Sequence, residues 1–299
     1  MNTPKKSCSR FRLILRIAFA VFALSALAAP PQGSFSLAAP ASSPLEKQVR
    51  EWAAELAREE PFARWKDAEF RIQALGPGTH SWLVIVKSGE ETVGYMVVHA
   101  AEDGSYRLGE YGTGPNVLFS EETFRMSLAE NGLVPAKDVP LAASRAYFHP
   151  FAAVWIVRVD GETHWIDAKT GEWLPLDAES WREMLPELRE RSAESHPPKA
   201  AFVSGKRFLG ETFDAYESLP WLAGERPYAI KSAKKVQRRI AGGLHLKYVT
   251  EPYGDLALYA LPVTGYHAWR EGRLDLALDM AGHRFVPLET LQRLGAFYE

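Results

Sequence analysis

"VWIVRVDGETHWIDAKTGEWLP", Val154 to Pro175, reads as a strand, a turn at Gly161, a second strand, a turn at Thr170-Gly171 and a third short strand. Runs separated by so few residues can pair only in antiparallel fashion, because a parallel return needs a crossover of a dozen residues or more. The same grammar occurs upstream in a longer form. Ala68–Leu75 alternates with period two, "GPGT" turns the chain, and "SWLVIVKSG" and "ETVGYMVVHA" follow. An "EDG" turn then leads into "SYRLGEYG", and Trp82 occupies the place that Trp155 has in the shorter version, a weak internal repeat. Two helices accompany these strands. Ser42 or Ser43 caps a helix over 44–59 with Pro44 in its first turn, its apolar face being Leu45, Val49, Trp52, Ala53, Leu56 and Ala57. Ser120 caps the second, with Glu121 and Glu122 in its first turn and a stop at Asn131-Gly132. A helix packed on an antiparallel sheet is an α+β layer, and we assign it residues 44–175.

The residues Trp155-Ile-Val-Arg-Val and Trp165-Ile-Asp167-Ala168-Lys169-Thr170-Gly171-Glu172 resemble the carboxy-terminal hairpin of PepSY-type domains, which recurrently end in a strand running into D-A-x-T-G-E. The resemblance covers residues 150–175. It implies a cystatin-like α+β module outside the cytoplasm that binds or restrains partners.

A charged helix, Ala178 to Ser195 with Pro186 inside it, and the linker "ESHPPKAAFVSGK" come next, so 176–200 is expected to join two folded units. The second unit, 201–299, reads as a smaller α+β domain. "LALYALPVTGY" and "LDLALDM" form a hairpin around "EGR", and "GHRFVPLETLQRLGAFY" adds a strand and a closing helix. The stretch Tyr259–Leu288 resembles papain-like peptidases of the kind that trim bacteriocin leaders. Aligned on Gly265-Tyr266, the family's catalytic His position falls on Tyr259 and its Asp position on Asp279, with Met280 in place of Pro. The machinery is absent. The only cysteine is Cys8, and a phenol keeps its proton to about pH 10, so Tyr259 is no base for a thiol. The resemblance implies a degenerate frame in which Asp279 serves the turn before Ala281-Gly282.

Composition sets the remaining bounds. With 299 residues, 46% hydrophobic and 24% charged, the chain has the make-up of a globular protein. Lys5, Lys6, Arg10, Arg12 and Arg16 precede the apolar run Ile17–Ala29 and no acid does, so the rest is more acidic than the net charge of −2. That balance disfavours nucleic acid as a partner. The leader itself reads as a signal peptide over 1–28, or an uncleaved anchor, followed by a Pro/Ala/Ser linker over 29–43. Export to the cell envelope or medium is therefore expected.

Catalytic signatures are missing. No His-Glu-x-x-His, Gly-x-Ser-x-Gly or P-loop is present, and the eight histidines form no i, i+3 or i, i+4 pair. No metal or cofactor is expected. The residues closest to an acid–base group are Asp279, His267 and His283. Binding is expected at Trp165 and Trp173, near turns where exposed rings grip a peptide or sugar. It is expected also at the basic face Lys231, Lys234, Lys235, Arg238 and Arg239, suited to an anionic wall polymer or lipid headgroups. The reading that follows is a non-catalytic extracytoplasmic module with a protein or peptide partner. The alternatives are a hydrolase around Asp279 and a structural envelope component.

Overall fold

The computed structural model describes residues 43–76, 79–133, 142–159, 161–194 and 203–299. The expected signal segment and all but the last residue of the linker 29–43 lie outside the described residues, as do 195–202. The first half comprises α1 (Pro44–Leu56), β1 (Glu69–Ala74), β2 (Ser81–Ser88), β3 (Glu91–Ala100), β4 (Tyr106–Thr113) and α2 (Glu121–Glu130). It continues with β5 (Ala142–His149), β6 (Ala152–Val159), β7 (Glu162–Asp167), β8 (Trp173–Leu174) and α3 (Ala178–Glu194). The second half comprises β9 (Ser204–Leu209), α4 (Ala233–Ala241), β10 (Leu246–Thr250), β11 (Pro252–Asp255) and β12 (Tyr259–Trp269). It closes with β13 (Leu274–Asp279), β14 (His283–Pro287), α5 (Leu288–Leu294) and β15 (Ala296–Tyr298).

The architecture is α+β with antiparallel sheets. The larger, ten-stranded sheet has the order β1-β2-β3-β4-β14-β13-β12-β10-β15, with β9 also paired to β12; the second sheet is β5-β6-β7-β8. Period-two alternation distributes the core. Val84, Val86, Met96, Val98, Ala277 and Phe285 face α1 and its stripe Leu45, Val49, Trp52, Ala53 and Leu56. Their neighbours Leu83, Tyr95 and Val97 face the opposite way, onto α2 and the four-stranded sheet through Phe124, Leu128, Trp155, Val157 and Ile166. In β13, Leu274, Leu276 and Leu278 pack instead with Val236 and Ile240 of α4 and Leu291 of α5.

The helix starts follow the sequence. Ser43 Oγ accepts from Glu46 N at 3.1 Å and Ser120 Oγ from Thr123 N at 3.2 Å. The first helix stops at Leu56, not at 59, and its end is finished from far along the chain. Arg207 of β9 donates to the carbonyls of Leu56, Glu59 and Glu60, satisfying acceptors that a helix leaves open at its C-terminus. Pro186 lies inside α3 without dividing it. Strand β5 had no counterpart in the sequence reading.

The division into units at 44–175 and 201–299 does not describe the core. Strand β4 pairs with β14 in the registers Gly112↔Arg284 and Tyr111↔Phe285, and Ser42–Glu299 forms one compact unit. The Pro- and Ser-containing stretch near residue 200 does not divide the sheet, because the edge of β4 is completed by a strand from beyond it. Phe285 is buried against Tyr111 and Phe62, with ring centroids 5.1 and 5.3 Å away. Phe285→Ala should cost about 3–5 kcal/mol and lower one shared thermal transition. Two separate transitions, with only the second displaced, would restore the two-unit description.

Candidate functional site

A cleft of about 800 Å³ opens between the β1–β2 connection, the β2–β3 strand ends, β5 and α3. Ser81 and His99 stand opposite each other in the register of β2 and β3. Their Oγ and Nδ1 atoms are 2.7 Å apart, and Ser81 Oγ donates to the Thr79 carbonyl at 2.9 Å. With its single proton committed to Thr79, the hydroxyl receives a hydrogen from Nδ1. An activated nucleophile has the reverse polarity, giving its proton to the imidazole. Gly109 makes room for this histidine, because a Cβ there would stand 2.5 Å from His99 Nε2. Arg145 and Arg189 bring positive charge to the cleft, and Glu102 is the only carboxylate among its described lining residues. Arg145 is held by Gln73 Oε1 at 2.7 Å and stacks on Trp155 at 4.7 Å. Burial lowers its guanidinium from the ordinary range, with Glu121 acting in the opposite sense.

Behind Tyr147, at the inner end of the cleft, lies a buried polar core. Arg284 Nε and Nη2 contact Glu110 Oε2 at 3.0 and 2.5 Å, and Nη2 also donates to Pro150 O at 2.6 Å. Burial pushes the Glu110 carboxyl up against the pull of Arg284. Burial opposes the charge on the Arg284 guanidinium, but Glu110, with Tyr95 and Tyr147 beside it, more than offsets that cost and keeps it protonated. Lys169 Nζ donates to Asn116 O and, at 3.1 Å, to Ala281 O. Burial, then Arg284, push its ammonium down to about 7. Asp167 explains the D-A-x-T-G-E pattern locally. Its Oδ1 accepts from Lys169 N and Thr170 N, both at 2.8 Å, and its Oδ2 accepts from Tyr259 OH at 3.0 Å. Gly171 then takes a left-handed φ of 78° to continue the turn.

On the α1 side of the large sheet, a second hydroxyl–imidazole group forms around His267. Asp275 accepts from Arg273 Nε at 2.7 Å, Trp269 Nε1 at 2.8 Å and Tyr111 OH at 3.0 Å. Since the Tyr111 proton goes to Asp275, its oxygen accepts from His267 Nδ1 at 2.6 Å. His267 Nε2 is thereby an acceptor for Ser204 Oγ, 2.9 Å away. The donor order runs Ser204, His267, Tyr111, Asp275. Burial, Arg207 and Arg273 push His267 down to about 2, so the imidazole is neutral and a poor proton acceptor.

The residues singled out from sequence are distributed differently from expectation. Asp279 and His283 face each other across the β13–β14 turn, but His267 pairs with Asp275. That is four residues along the strand from Asp279, or about 13 Å, so the three do not form one site. Asp279 Oδ1 accepts from Gly282 N at 3.2 Å, the turn role read from the sequence. Trp165 is 2% exposed within the core and not a surface ring; its strand position turns it toward Leu188 and Tyr253. Trp173 is half-buried and donates to Ser127 Oγ at 2.9 Å, a tie to α2. Lys231, Lys234, Lys235 and Arg238 are exposed. Arg239 is engaged, bidentate to Glu299 at 2.6 and 3.1 Å and over the Tyr228 ring. Tyr259, at the aligned imidazole position, is buried in the core.

Sequence reasoning missed Ser81, His99, Arg145 and Arg189. Among the described residues no cluster of His, Cys, Asp and Glu could hold a metal ion, and no helix is long and apolar enough to cross a membrane. No family model, curated protein or solved structure matches the chain.

Two outcomes follow from this geometry. A lysine ammonium depressed from 10.5 to about 7 leaves the unfolded chain holding more protons between those values, so stability should rise with pH there. The slope from this group is at most about 1.4 kcal/mol per pH unit. Chemical denaturation of Lys169→Met between pH 7 and 9.5 should show that slope flattened. Replacing Asp279 by Ala should cost about 1 kcal/mol in the same measurement, the value of one turn hydrogen bond, without altering ligand binding by the folded fraction.

Proposed function

We propose that the protein is a non-catalytic extracytoplasmic binding module of the bacterial cell envelope, with a protein or peptide partner held in the cleft between β2–β3, β5 and α3. The observation that carries the reading is the cleft itself. It is large enough for a ligand, and two arginines face one glutamate around it. The Ser81–His99 pair on its wall has the polarity of a fixed hydrogen bond and not of a nucleophile with its base. The leader Lys5–Ala29 supports export, as does the absence of cysteine after Cys8, which leaves no thiol to protect outside the cytoplasm.

A hydrolase is the second reading, favoured by the donor order from Ser204 through His267 to Asp275. The depressed imidazole weighs against it. One experiment separates the two. A photo-crosslinking residue at Phe148, inside the cleft, should capture a defined envelope component that the same group at exposed Leu222 does not. The purified chain should leave casein, peptidoglycan and ester substrates intact. Turnover that Ser204→Ala or His267→Ala abolishes would establish the hydrolase instead.

A further inference from the structure

Resting on the binding-module reading, we infer that the cleft takes its partner as an extended peptide strand. The strand lies along the outer edge of β5, with a peptide carboxylate between Arg145 and Arg189. The placement of β5 is the first support. It is the terminal strand of its sheet, and among the described residues its backbone bonds only to β6. Arg145, Ala146, Tyr147 and Phe148 all line the cleft. Successive side chains of a strand point to opposite faces, so four consecutive lining residues put the cavity beside the strand, where its free N–H and C=O groups point. Such an edge is the template for strand addition by a peptide.

Chemistry limits the occupant. Natural edges are blunted by proline, by lysine or by a bulge that twists them away; β5 reads "AASRAYFH" and contains neither residue. Its one irregularity is the bulge at Phe148, between Tyr147 and His149, at the carboxy-terminal end of the cleft-lining run; Ala142 to Tyr147 pair regularly with β6. The balance of charge among the described lining residues is cationic, Arg145 and Arg189 against Glu102. Arg145 is pre-positioned by Gln73 and by its stacking on Trp155, and neither it nor Arg189 has an ion-pair partner among the described residues. A planar guanidinium with donors to spare recognises a carboxylate bidentately. The occupant is therefore a peptide bearing an acidic side chain or a free carboxyl terminus.

The test uses a pool of random nonapeptides with free carboxyl termini, selected on the immobilised chain. Enriched peptides should protect β5 amides from hydrogen exchange. Methylating alternate backbone nitrogens of a selected peptide should weaken it at least tenfold, since strand pairing then loses its donors. Arg189→Glu, an exposed position, should weaken it by a similar factor, and Arg145→Lys should do so while keeping the positive charge. An empty selection, or binders indifferent to N-methylation that leave β5 exchange unchanged, would overturn the proposal. Capture at Phe148 alongside an empty selection would leave the binding-module reading standing and remove only the strand mode. Protection of β5 in the full chain that disappears from Ser42–Glu299 would assign the edge to the chain's own amino-terminal segment, and would also overturn it.

Discussion

Arg284 carries the junction on which the rest of the fold depends. The two halves of the large sheet meet where β4 pairs with β14, and only two register pairs join them. Side chains supply what so short a ladder lacks. On one face Arg284 grips Glu110, and on the other Phe285 stacks on Tyr111 at an interplanar angle of 1°. The same guanidinium donates to Pro150 O in the turn between β5 and β6, which fastens the small sheet to the large one. A buried ion pair is weak evidence of net stabilisation, because desolvation offsets its attraction; breaking one partner, however, costs about 3–5 kcal/mol. Its consequence here is alignment. A slip of one residue would turn Arg284 onto the α1 face and leave Glu110 buried without its partner.

The two motifs with family-like patterns meet inside this core. Tyr259, where a papain-like peptidase would carry its imidazole, donates to Asp167 of the D-A-x-T-G-E turn. The acceptor Asp167 is saturated by its own turn, so the phenol is a strut between sheets and its burial keeps it protonated. Asp279 likewise closes its own turn. At the two positions where the peptidase layout would place its chemistry, Tyr259 and Asp279 each have a structural task.

Strands β9, β10, β11 and β15 were not read from the sequence, whereas β1 to β4, β6 to β8 and β12 to β14, both capped helices and the Asp279 turn were legible because each depends on neighbours within a few residues. Ser81 opposite His99 was not, although both strands of that hairpin were. Ser88 pairs with Glu91 and Lys87 with Thr92, but beyond a bulge Val86 pairs with Gly94. A regular ladder would have set Val98 opposite Ser81. One extra residue at the bulge brings His99 there instead, and Gly94, with φ 159° and Trp65 packed over it, is where the shift occurs. Strand β5 escaped because "AASRAYFH" lacks an apolar alternation. The unity of the core escaped because the β4–β14 pairing spans the very segment whose composition looks like a linker.

The exposed edges of the two sheets differ in a way that bears on β5. The outer strand β1 carries exposed Glu69 and Arg71, charges that discourage another strand. At the opposite end, the β15 carbonyl of Phe297 already accepts from Tyr228 N. Among the described residues the edge of β5 has neither protection, yet it lies within a cleft walled by α3 and the β2–β3 strand ends. On the binding-module proposal, the free backbone groups of β5 are those that a single peptide strand would take up, and Arg145 and Arg189 set the charge that such a strand must carry.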